Sequence, residues 1–93
     1  MYDIVDVKHV GDYTLELSFE NGEKGKVNLK DYLKYGGVFS RFSDPEYFRK
    51  VYVNRDVGTI CWPDGVDIAP ETLYQLATGK NLSQSFLGEL PQL

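Results

Sequence analysis

The sequence predicts an α+β fold: a small antiparallel sheet, a β-meander of about five strands, with a short middle helix and a C-terminal helix packed on it. Three stretches carry that prediction. Tyr13 to Phe19 alternates strictly and runs into Asn21-Gly22, Asp44-Pro45-Glu46 is a helix start, and Pro70 and Gly79 bracket an apolar helical spacing. Ninety-three residues allow one domain with a single core and little reserve, expected over 1–79, with 80–93 as a C-terminal tail.

Ile4, Val5, Val7 and Val10 make a β-rich opening that ends at the Gly11-Asp12 turn signal. In the next strand Tyr13, Leu15, Leu17 and Phe19 share one face and Thr14, Glu16 and Ser18 the other, as in a half-buried strand. Asn21-Gly22 then marks a hairpin. A two-residue loop would pair Leu17 with Lys26 and turn Val27 and Leu29 to the wrong face. The three-residue loop Glu20-Asn21-Gly22, with Gly22 left-handed in a bulge, pairs Leu15 with Val27 and Tyr13 with Leu29, and is the one expected.

Lys24, Lys26 and Asn28 face solvent on the return strand, with Lys30 and Lys34 beyond. This is read as a solvated edge rather than a phosphate-binding strip. Leu29 to Leu33 forms one helical turn, and Gly36-Gly37 opens a loop pinned by Phe39 and Phe42; its spacing fits no nucleotide fingerprint. Asp44 caps a short helix, roughly Pro45 to Lys50, whose Tyr47, Phe48 and Val51 face the core. Val51-Tyr52-Val53 and Val57 to Trp62 are strands joined at Asn54-Arg55-Asp56, and Pro63-Asp64-Gly65 turns the chain back. Val66 and Ile68 point inward. The last helix runs from Pro70 to a Gly79 cap, with an Ile68–Leu73 staple and a buried stripe of Leu73, Leu76 and Ala77. In the tail, Ser83 heads a short helix with Phe86, Leu87 and Leu90 on one side, either docked on this or a partner chain or frayed.

A net charge of −4 disfavours nucleic acid as a partner, since phosphate binding rests on Lys and Arg. One Cys excludes an internal disulfide and a multi-thiolate zinc site. No apolar run approaches the roughly 20 residues of a membrane span, and the expected location is cytoplasmic.

Candidate chemistry is sparse. Cys61 and His9 are the sole thiol and imidazole, but nothing in the sequence places them together, and a strand Cys is usually a small buried apolar residue. Asp64, Asp67 and Glu71 are too few for a hard cation, so no metal, cofactor or catalytic residue is assigned. The most site-like set is the turn itself: Trp62, Pro63, Asp64, Gly65 and Asp67, with Tyr74 on the helix that follows. Aromatic bodies with polar tips at a rigid corner make binding hot spots. The plainer reading is that a lone Trp in a small domain anchors its core.

The stretch Gly58-Thr59-Ile60-Cys61-Trp62-Pro63-Asp64-Gly65-Val66-Asp67-Ile68-Ala69-Pro70-Glu71-Thr72-Leu73-Tyr74 resembles the signature of a bacterial family, domain-of-unknown-function family 2442. Phe19-Glu20-Asn21-Gly22 and Phe39…Phe42-Ser43-Asp44-Pro45…Phe48…Val51 also match its layout, and the resemblance covers roughly residues 1 to 79. It implies a small α+β domain without an established activity. Members often sit beside another small family, which invites a toxin–antitoxin-like pairing. Some carry a C-terminal helix-turn-helix, for which this chain is too short. The expected function is a non-catalytic protein-binding module, through a protein partner or a homo-oligomer. The alternative is a small-molecule or metal-binding domain, or a minor enzyme, using Asp64, Asp67 and Cys61.

Overall fold

The computed structural model describes residues 2–80. Its first sheet follows directly from the alternating pattern. β1 (Ile4–Gly11), β2 (Thr14–Phe19) and β3 (Lys24–Asn28) form an antiparallel sheet in that order. The β2–β3 register pairs Leu15 with Val27, Tyr13 receives the Leu29 amide at 2.9 Å, and the loop is Glu20-Asn21-Gly22 with Gly22 at φ 90°. Leu15, Leu17, Phe19, Val27 and Leu29 are all buried. Any one-residue slip would turn that set to water, so burial itself holds the register, each full burial contributing roughly 1.5–3 kcal/mol. β1 skips Val5 as a bulge between Ile4↔Phe19 and Asp6↔Ser18.

The single five-strand meander is corrected here. A second three-stranded antiparallel sheet, β4 (Tyr52–Asn54), β5 (Thr59–Trp62) and β6 (Val66–Asp67), stands apart from the first. The break lies after Leu29, where two 3₁₀ segments, Lys30–Tyr35 and Gly37–Ser43, and α1 (Pro45–Phe48) carry the chain away from β3. A run of helical turns cannot close the tight hairpin that would add β4 to β3. The sheets meet where the Ile4 amide donates to the Gly58 carbonyl at 3.0 Å.

Phe48 joins the two halves. α1 starts as expected, with Asp44 accepting from the Glu46 amide at 3.0 Å and Pro45 in the first turn. Its short length places Phe48 against Tyr13 and His9 of the first sheet, with ring centroids 5.2 and 5.7 Å away. On the other side lie Phe42 at 5.1 Å and Trp62 at 5.8 Å.

α2 (Pro70–Thr78) ends on Gly79, left-handed at φ 78°, as the sequence reading has it. Ile68 and Leu73 are buried, and Ala69 makes no capping bond. The buried stripe differs from the expected one. Leu73 and Ala77 face inward, but Leu76 is 49% exposed and Tyr74, 3% exposed, takes its place. Tyr74 packs on Tyr2 at 4.2 Å and edge-on to Phe19 at 5.2 Å. Rotating the helix to bury Leu76 would forfeit both ring contacts. Close approach of α2 to β3 requires Gly25, where a Cβ would stand 2.4 Å from the Ala77 carbonyl oxygen. The expected tail helix from Ser83 lies outside the described residues. No described helix is long and apolar enough to cross a membrane.

Candidate functional site

The corner begins at a buried Trp62 and surfaces at Asp64 and Gly65. β5 is buried along its whole length, Trp62 is fully enclosed, and its indole N–H donates to the Phe48 carbonyl at 3.0 Å. Trp62 therefore offers no surface to a partner; it is the core anchor of the plainer reading. Pro63 ends the strand, and its carbonyl accepts the Tyr47 hydroxyl at 2.9 Å. Asp64 is left-handed at φ 68°, a conformation that Asp tolerates better than most residues, and Gly65 follows at φ 76°. The Asp64 carboxylate pairs with Arg41, which is raised above its ordinary pKa by that bond. Val66 then pairs back with Trp62. The corner thus ties β5 to α1 through Phe48 and Tyr47, and to the second 3₁₀ segment through Arg41.

Of the remaining predicted groups, Asp67 and Cys61 are paired across β6 and β5 and the others are dispersed. Tyr74 is buried, and its hydroxyl donates to Glu23, which Lys80 also contacts at 3.1 Å. Asp67 is exposed on β6 opposite Cys61, while Asp64 is held by Arg41. Cys61 is 5% exposed, and burial, followed by the Asp67 charge, pushes its thiol pKa up. His9 lies instead in the first sheet, where its Nε2–H donates to the Asp12 carbonyl at 2.8 Å. Among the described residues no three His, Cys, Asp or Glu side chains gather as a metal would require.

Sequence reading missed the two 3₁₀ segments as a surface. Side chains three apart eclipse in 3₁₀ geometry. Tyr32 therefore meets Tyr35, with centroids 5.1 Å apart, and Phe39 meets Phe42 at 5.6 Å. Tyr32 and Phe39 close the set at 5.1 Å. Phe42 lies 4.6 Å from Trp62, so a continuous run of rings leads from the fully buried indole to Tyr35, which is 70% exposed. Val38 beside it is 55% exposed. Burial, then the neighbouring Tyr35, raises the Tyr32 hydroxyl pKa. The first 3₁₀ segment also carries the exposed Lys34–Asp31 pair at 3.8 Å. The signal was present in the spacing Tyr32-x-x-Tyr35 and Phe39-x-x-Phe42, but reading it required knowing that the segment is 3₁₀.

No curated protein and no solved structure matches the chain. A family model described as protein of unknown function (DUF2442) matches residues 4–79, and the chain belongs to that family.

Proposed function

We propose that this domain is a non-catalytic protein-binding module and that its contact surface is the ring ledge of Tyr32, Tyr35, Val38 and Phe39. One observation carries the reading: Tyr35 is 70% exposed although its ring is held edge-on by Tyr32 and Phe39. A rigid, amphipathic ring already fixed in place loses little rotamer freedom on binding, and such residues dominate interface energies. The exposed Lys34–Asp31 pair on the same segment as Tyr32 and Tyr35 suits the polar rim of such a patch. The partner half of a toxin–antitoxin-like pair, implied by the family resemblance, is one role this surface would serve.

The test compares the wild-type chain with Tyr35→Ala/Val38→Ser in affinity capture from the native cells, alongside sedimentation velocity for self-association. A defined protein bound by wild type and lost by the double variant is expected, with the variant's circular dichroism unchanged. Equal capture by both, or neither a partner nor self-association for wild type, overturns the proposal.

A further inference from the structure

We infer that Asn21 is a site of spontaneous deamidation which the folded hairpin loop restrains, and whose isoaspartate product the loop no longer accommodates. The site lies in the β2–β3 loop, apart from the corner and from the residues of the ring ledge.

The sequence supplies the reactivity. Asn21 is the only asparagine of this chain that precedes a glycine; Asn28, Asn54 and Asn81 precede Leu29, Arg55 and Leu82. In the reaction the Gly22 main-chain nitrogen gives up its proton and attacks Cγ of Asn21. A new N–C bond closes a succinimide ring, the Cγ–Nδ2 bond breaks, and ammonia leaves. Water then opens the ring at either carbonyl, giving aspartate or isoaspartate. A glycine nitrogen is the least hindered attacker, because no Cβ stands beside it. Asn21 and Gly22 are both exposed, so the water that completes the reaction reaches them.

The fold supplies the restraint. The Gly22 N–H donates to the Phe19 carbonyl at 2.9 Å, so removing its proton sacrifices that bond. Nδ2 of Asn21, the leaving nitrogen, donates to the Glu23 carboxylate at 3.0 Å, and Oδ1 accepts from the Glu23 amide at 3.0 Å. Glu23 is anchored in turn from the end of α2, by the Tyr74 hydroxyl and by Lys80 at 3.1 Å. Attacker and leaving group are thus both engaged, and the reaction proceeds through the fraction of chains in which the loop has opened.

The product does not fit the closed loop. Isoaspartate carries the main chain through its Cβ and adds a carbon between residues 21 and 22. Loop length is what sets the Leu15–Val27 register. Either product also places a carboxylate where Nδ2 donated to Glu23, so an attraction becomes a repulsion.

The experiment incubates the wild-type chain at mildly alkaline pH, folded in buffer and unfolded in urea, and follows the loop peptide by mass spectrometry. In urea, Asn21 should convert to two products, each heavier by the exchange of NH for O, at least about tenfold faster than in the folded chain. Peptides carrying Asn28 and Asn54 should stay unchanged. Glu23→Ala, which removes the acceptor of Nδ2, should react severalfold faster than wild type when folded and at the same rate in urea. The isoaspartate form, separated by its added negative charge, should melt below the unmodified chain. Equal rates in folded and unfolded wild type, no reaction of Asn21 in urea, a folded Glu23→Ala rate equal to wild type, or an isoaspartate form that melts like the unmodified chain overturns the inference.

Discussion

The corner at Trp62 and the ledge at Tyr35 are built from the same kind of residue and are joined by touching rings, yet they are used in opposite ways. At the corner three groups are bonded within the chain: the indole N–H to the Phe48 carbonyl, the Pro63 carbonyl to the Tyr47 hydroxyl and, at the surface, the Asp64 carboxylate to Arg41. At the ledge the rings hold one another and leave Tyr35 and Val38 in water. A distinctive sequence motif can thus record a demanding piece of folding, while exposed rings come from a stretch whose spacing is plainer. Rarity of residues marks constraint, and constraint has more than one source.

The largest expected effect follows at Trp62. Trp62→Ala removes the fully buried indole and should cost about 3–5 kcal/mol in urea unfolding, a large part of a small domain's stability. A loss below about 1 kcal/mol would mean the corner is not a structural anchor. Gly25→Ala comes next, because its Cβ would stand 2.4 Å from backbone that belongs to α2. Strain of roughly 1–3 kcal/mol is expected, read as a lower melting temperature. Tyr47→Phe deletes one hydroxyl, the donor to Pro63, and should cost about 1 kcal/mol. At the ledge, Tyr35→Ala/Val38→Ser should change stability by under about 1 kcal/mol, since only edge-on ring contacts are lost. Should the ledge variant lose as much stability as Trp62→Ala, the ledge would be core and the contrast would fail.

Legibility followed the range of the interaction. The hairpin register could be read before any coordinates because the alternation of Leu15, Leu17 and Phe19 against Val27 and Leu29 leaves one loop length that buries both strands. The Asp44 cap and the Gly79 end are equally local. The pairing of β4 with β5 was legible in the Asn54-Arg55-Asp56 turn, but division into two sheets was not, because nothing in Val51-Tyr52-Val53 says whether its other edge meets β3. Leu76 was misassigned for a related reason. Leu73 and Ala77 define a stripe that either Leu76 or Tyr74 could widen, and the choice rests with Tyr2 and Phe19 far away in sequence. For the candidate site, the core role of Trp62 was legible and the corner's bonding partners were not, since Phe48 and Tyr47 come from α1 and Arg41 from the second 3₁₀ segment.

Tyr74 supplies the finest test of the contrast, because it was a candidate contact residue and its hydroxyl is engaged internally with Glu23. That bond, then Lys80, holds the Glu23 carboxyl below its ordinary value of 4.5; the Asn21 side chain adds a further bond at 3.0 Å. In the unfolded chain these donors are gone, so the unfolded state takes up a proton at higher pH than the folded one does. The stabilisation is therefore fully present above pH 4.5 and is lost as pH falls below that value through the folded pKa. Glu23→Gln should be less stable than wild type at neutral pH, and the gap should narrow as melting temperatures are followed into acid. A gap that stays constant across that range would show that Glu23 titrates alike in both states. The Tyr74 hydroxyl would then be free for an outside partner, and the helix end of the motif would belong with the ledge rather than with the corner.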